Sequence, residues 1–167
     1  MPAIMMTTPM GPTRIVSDGR AIVSLTWGSQ RLVNGETTSG TPGSPVRDGE
    51  SCPLLLAARE QLLAYFDARL QEFDLPLAPA GSPFQRQVFA AMRAIPFGQT
   101  RTYRELADSI GSVARAVGAA CGANPIPVII PCHRVLGSNW LGGFSAAGGV
   151  EDKLLLLRLE GSSPVLL

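Results

Sequence analysis

The sequence predicts an α+β protein. A small N-terminal α/β domain with a short antiparallel sheet occupies residues 1–79, and a mostly helical C-terminal domain with a helix-turn-helix occupies residues 80–167. Three observations support this. Strand-like alternation is confined to the first part of the chain and is best in Arg20-Ala21-Ile22-Val23-Ser24-Leu25-Thr26-Trp27. The second half instead carries helix-start signals, Ser82-Pro83 and Thr102 with Glu105 three residues on. Between the two, Pro76, Pro79 and Gly81 mark a linker. With 46% apolar and 16% charged residues, the chain has enough apolar matter for a core and does not read as disordered.

In the N-terminal part, Met1–Thr13 is rich in Met, Pro and Thr and reads as a loose tail, residues 1–13. Arg14–Val16 and Arg31–Asn34 are weaker strand candidates on either side of Arg20–Trp27, with Asp18-Gly19 as a turn. Residues 37–51 are dominated by Gly, Pro, Ser and Thr and read as an exposed loop. Cys52–Leu70 has the period of an amphipathic helix, with Leu55, Leu62, Phe66 and Leu70 near one face. Phe73–Leu77 is a candidate short strand.

In the C-terminal part, the helix capped by Ser82 buries Val88, Phe89, Met92 and Ile95 and ends at Pro96-Phe97-Gly98. Thr102 caps the next helix, Gly111 breaks it, and Ser112 starts another that runs to about Gly122. Two short helices around a glycine turn form a helix-turn-helix pattern. A final helix, Gly149–Leu159, carries Leu154, Leu155, Leu157 and Leu159 and stops at Gly161.

Charge and cysteine usage narrow the function. The net charge is +1, but its distribution is uneven. Residues 1–79 carry six basic and eight acidic side chains, and residues 80–167 carry eight basic and five acidic. A basic excess in the helical half suits contact with phosphates. Cys52, Cys121 and Cys132 are odd in number and widely spaced, which argues against a disulfide framework. With one histidine and no C-x-x-C pair, no metal site is expected. Met1–Pro12 makes a poor signal peptide, and no apolar run reaches membrane-spanning length, so a cytoplasmic setting without membrane contact is expected.

The chemistry is concentrated in Ile130-Pro131-Cys132-His133-Arg134-Val135, preceded by Asn124-Pro125-Ile126-Pro127. The only histidine directly follows a cysteine, which suggests a nucleophile beside its base. The prolines fix the approach to that pair. Neighbouring side chains diverge in a strand, so a turn or helix start is required at 132–133.

These residues resemble the O6-alkylguanine-DNA alkyltransferase family, the methylated-DNA–protein-cysteine methyltransferases. The resemblance runs from about Ser82 to Gly161. Its motifs are Pro96-Phe97-Gly98-Gln99-Thr100, Thr102-Tyr103, Ala114-Arg115-Ala116-Val117-Gly118, Asn124-Pro125, Pro131-Cys132-His133-Arg134-Val135, Gly143-Phe144-Ser145 and Glu160-Gly161. Residues 1–80 resemble the family only in layout. The stretch Gly143–Gly149 is two residues longer than shorter family versions, and Phe144 stands where tyrosine is frequent.

The resemblance implies a winged-helix-like C-terminal domain that binds double-stranded DNA and accepts the alkyl group, with an N-terminal support domain. It implies a monomer that flips O6-alkylguanine out of the duplex and moves the alkyl group irreversibly onto Cys132, one lesion per molecule, without a cofactor. It makes Cys132, His133, a bridging water and Glu160 a relay, with Asn124 as organiser and Tyr103 as proton donor to the leaving guanine. The second helix of the pair would enter the minor groove, with Arg115 filling the gap left by the base. Thr102, Tyr103, Arg104, Ala114 and Ala116 would lie against DNA. Main-chain carbonyls of Cys132 and Val135 would accept from the guanine amine, and Ser145 would contact the alkylated oxygen. A lesion-binding relative without transfer is the runner-up, and Cys132 argues against it. A transcription regulator would need a polar, base-reading second helix, which Ala114–Gly122 is not.

Overall fold

The computed structural model describes residues 1–28, 52–138, 141–142 and 149–162. The loop at 37–51, the strand candidate at 31–34 and Gly143–Phe144–Ser145 lie outside these residues. The chain divides into two compact units, Met1–Pro79 and Ala80–Leu167.

The first unit is an antiparallel sheet with a helix. Strands β1 (Ala3–Thr8), β2 (Gly11–Ser17) and β3 (Ile22–Trp27) pair in sequence order. The tail expected at residues 1–13 is therefore a hairpin. Ile4, Met6 and Thr8 alternate inward along β1, and Thr13, Ile15 and Ser17 along β2. Gly11, at φ +104, closes the turn after Pro9-Met10. The Pro- and Thr-rich composition masked a period-2 pattern and its turn residue. Asp18 Oδ1 accepts from the Arg20 and Ala21 amides and builds the next turn.

Helix α1 (Pro53–Phe66) buries Leu55, Ala58, Leu62 and Tyr65, and it contacts β1 and β2. It stops four residues earlier than the pattern suggested. Ala68 takes a left-handed conformation, φ 58, and the amides of Ala68 and Arg69 bond back to the last turn. The strand expected at Phe73–Leu77 reduces to one parallel bridge, Leu77 to Ile22, flanked by bonds from Ile22 N to Pro76 O and Ala78 N to Ile22 O.

In the second unit, α2 (Pro83–Arg93) begins with a capping box between Ser82 and Gln85 and buries Val88, Phe89 and Met92. Strand β4 (Arg101–Thr102) leads directly into α3 (Tyr103–Ile110), which has a second box between Thr102 and Glu105. Gly111 ends α3 at φ 70, the left-handed region that glycine enters without strain. Helix α4 (Ala114–Gly122) starts after Val113, not at Ser112, and no side chain caps it. Helices α2, α3 and α4 pack on one another, which gives the α+β fold its helix-turn-helix. A 3₁₀ turn (Cys132–Arg134) runs into β5 (Val135–Leu136), which pairs in parallel with β4. That two-residue ladder had no signal in the sequence. It brings the start of α3, and Tyr103 with it, beside the residues that follow Cys132. Helix α5 (Gly149–Leu159) closes the described part.

Candidate active site

The site is built on a rigid approach to Cys132. Asn124 is buried; its Nδ2 donates to Ile130 O at 2.8 Å, and its Oδ1 accepts from Ile126 N at 3.0 Å. Ile130 N bonds to Ile126 O, and Cys132 N to Ile130 O. Between them Val128 is buried at φ 75, a conformation rare for a β-branched residue, held by the surrounding bonds. The 3₁₀ turn then separates the Cys132 and His133 side chains by a third of a revolution.

Cys132 is buried, and burial is the main reason its thiol is pushed up to about 11. Four groups oppose that rise: the Asn124 amide, the Lys153 ammonium, and the backbone N–H groups of residues 132 and 133. The resting sulfur is thus a protonated thiol surrounded by donors that suit a thiolate.

His133 is fully buried and paired with Glu160, Nε2 to Oε2 at 2.7 Å. Burial lowers its pKa, against the pull of Glu160. A neutral imidazole that donates from Nε2 to a carboxylate carries no proton on Nδ1. Nδ1 is buried with no hydrogen-bond partner in the structure, poised to take a proton. The histidine–glutamate contact is direct, so a water expected between the two is not needed there.

Glu160 follows the last residue of α5 and is itself clamped. Arg134 donates to it from Nε at 2.8 Å and from Nη2 at 3.0 Å, and from Nη1 to Ile95 O at 2.6 Å. Its guanidinium also lies 5.8 Å from the centre of the Phe97 ring. Arg134 carried no role in the sequence reading. It neutralises Glu160, holds it in one position, and disfavours a charged His133.

Lys153 was missed as well. The inward residues of α5 are Lys153, Leu156, Leu157 and then Glu160, spaced i, i+3, i+4 and i+7. That spacing was the available signal; of the four leucines noted on this helix, Leu154, Leu155 and Leu159 are only half-buried. Lys153 Nζ donates to Val135 O at 2.7 Å and lies 5.8 Å from the centre of the Tyr103 ring. Burial lowers its pKa to about 8. Burial also raises the Tyr103 phenol to about 12, so it stays protonated at neutral pH.

Cys121 is a second buried thiol, bonded to Met92 Sδ at 3.5 Å and raised to about 12, chiefly by burial. The three described cysteines are free, and no cluster of metal-ligating side chains occurs among the described residues. Among those residues no helix is long and apolar enough to cross a membrane.

The expected DNA-facing residues sit at the helix-turn-helix. Arg115, Arg104 and Ala114 are exposed, and Thr102, Tyr103 and Ala116 half-buried. Ser145 lies outside the described residues.

A buried thiol on the same turn as a buried histidine–glutamate pair, in the unit that holds a helix-turn-helix, suits a protein that acts on DNA through a cysteine, and comparison with known proteins agrees. Residues 83–162 match the model of the 6-O-methylguanine DNA methyltransferase DNA-binding domain. The methylated-DNA–protein-cysteine methyltransferase of Methanosarcina acetivorans is 40% identical over 158 residues, covering 93% of this chain and 95% of that one. The Mycobacterium tuberculosis protein of the same name is 41% identical over 158 residues, covering 93% and 89%. A crystal structure of Mycobacterium tuberculosis OGT in complex with DNA superposes with a TM-score of 0.78 at 38% identity, covering 98% of this chain and 96% of that one. The chain belongs to the methylated-DNA–protein-cysteine methyltransferase family.

Proposed function

We propose that this protein repairs DNA by direct reversal, moving the alkyl group of O6-alkylguanine onto its own Cys132. The observation that carries this reading is the surroundings of the sulfur: a buried thiol ringed by thiolate-favouring donors, next to a histidine whose Nδ1 is free to accept a proton.

The target base leaves the duplex before reaction, because a stacked guanine cannot present its O6 substituent in line with a thiol. Helix α4 enters the minor groove. Its Gly and Ala residues allow close approach, and Arg115 fills the vacated space. Thr102, Arg104, Ala114 and Ala116 meet the DNA backbone, and Tyr103 presses on the phosphate of the flipped nucleotide. The extruded base donates from its exocyclic amine to the main-chain carbonyls of Cys132 and Val135, and Ser145 contacts the alkylated oxygen.

His133 then takes the Cys132 proton on Nδ1. Glu160, held by Arg134, stabilises the imidazolium, as a carboxylate does in a serine-protease triad. The sulfur attacks the alkyl carbon, the carbon–O6 bond breaks, and the departing guanine takes a proton from the Tyr103 phenol. Asn124 fixes the turn. The product is a thioether with no low-energy return to a thiol, so each molecule acts once. No cofactor takes part. The protein acts as a monomer on double-stranded DNA containing O6-alkylguanine, in the reducing cytoplasm where its thiols stay free.

The test is stoichiometry. Limiting protein incubated with a duplex carrying radiolabelled O6-methylguanine is expected to take up label to a plateau of one methyl group per molecule. Continued turnover, or no uptake by folded protein, would refute the proposal.

A further inference from the structure

Helix α5 and the residue that follows it turn two ionisable side chains inward, Lys153 and Glu160, seven residues apart. Glu160 serves His133. Lys153 favours the Cys132 thiolate through its charge, yet it is fully buried, where an ammonium is costly unless strongly partnered. One of its partners is the Val135 carbonyl, at 2.7 Å. A second, independent feature converges on the same ammonium. Gly142 is buried at φ +79, and a Cβ built there would stand 3.2 Å from Lys153 Nζ, 2.9 Å from Tyr103 Oη and 3.0 Å from Tyr103 Cε2. Only a residue without a side chain fits at that approach and that φ. Residue 142, β5 and α5 therefore meet at one buried cation.

We propose that Lys153 is a positioning residue that sets the direction of the Val135 carbonyl, so that its second acceptor site receives the exocyclic amine of the alkylated purine. A carbonyl oxygen has two lone pairs, and a charge-assisted donor on one of them fixes where the other points. Gly142 holds the ammonium in place by passing close against it. The consequence is selectivity for purines that carry the amine. This inference rests on the base-site reading given under the proposed function.

The test compares duplexes carrying O6-methylguanine with duplexes carrying O6-methylhypoxanthine, which has the same methyl ether but no exocyclic amine. Single-turnover methylation rates are measured for the wild type, Lys153→Met and Gly142→Ala. Lys153→Met removes the donor, and Gly142→Ala crowds it, and Tyr103 with it, while keeping its charge, so the ratio between the two duplexes and not the absolute rate is the readout. The wild type is expected to prefer methylguanine by about tenfold, the worth of one well-aimed hydrogen bond. In both variants the preference falls to about twofold or less, mainly through a slower methylguanine rate. If one variant does not fold, the other decides. Variants that slow equally on both duplexes, keeping the wild-type ratio, would overturn the inference. So would a wild type that methylates Cys132 from both duplexes at one rate, which leaves alkyl transfer standing. A wild type methylated by neither duplex would defeat the functional proposal as well.

Discussion

The two units bury very different polar groups. In Met1–Pro79 the buried polar side chains among the described residues are hydroxyls, Thr8, Thr13 and Ser17. Thr8 and Thr13 satisfy each other at 3.0 Å, and both reach Gly11 O. In Ala80–Leu167 they are Asn124, His133, Arg134, Lys153 and Glu160, four of them ionisable. A neutral hydroxyl pair is nearly interchangeable with apolar groups of the same shape, whereas a buried ion pair opposes its own desolvation and adds little net stability. Ionisable groups packed together around a thiol therefore point to chemistry, not scaffolding. Among the described residues, the buried charged side chains all lie in the second unit.

The sharpest way to break this contrast is Cys132→Ser. It is expected to abolish methyl uptake while DNA affinity, measured by gel shift, stays within about twofold, because Cys132 is buried and offers no surface to the duplex. A mutant that keeps its fold but loses DNA binding would mean that the turn serves the interface.

Next in size is Arg134→Ala. It leaves Glu160 buried without its guanidinium partner, and urea denaturation is expected to show a loss of roughly 3–5 kcal/mol. The matching change in the first unit, Thr8→Val with Thr13→Val, is expected to cost no more than about 1 kcal/mol. Equal costs would erase the distinction between the units.

His133→Gln and Glu160→Gln act on the chemical step. Each is expected to lower the single-turnover rate by about 10²–10⁴-fold, the usual worth of a positioned base, with DNA affinity retained.

The mildest test uses pH. In the free protein, alkylation of Cys132 by iodoacetamide follows the thiolate fraction, which rises with pH up to the thiol's value of about 11. The rate should climb by at most about tenfold per pH unit, less steeply around 8, where Lys153 gives up the charge that favours the thiolate. Cys121, raised to about 12, should lag behind it. A plateau near pH 8 would mark an ordinary exposed thiol.

Much of this was legible in the residues. Ser82 and Thr102 cap as their sequences say, and Gly111 takes the left-handed φ that a break between two helices requires. His133 pairs with Glu160 where α5 ends, and Asn124 braces the turn that carries Cys132. What was not legible has two causes. A short pairing such as β4 with β5 rests on tertiary contact and leaves no periodicity to read. Buried cations look like surface charge in a sequence. Lys153 follows Glu151 and Asp152 as a surface lysine would, and the partners of both cations, Val135 O and Glu160, are set by the tertiary fold. The first hairpin was hidden for a simpler reason: Pro9, Met10 and Gly11 form its turn, yet in composition they resemble a frayed end.

The central claim is that the surroundings, not burial alone, make one thiol reactive. Cys121 is the internal control: it is equally buried, lies on α4 and is held by Met92. Peptide-level mass spectrometry after reaction with O6-methylguanine duplex should find one methyl group on the peptide containing Cys132 and none on those containing Cys121 or Cys52. Methyl groups shared among the cysteines, or found only on Cys121, would contradict the account.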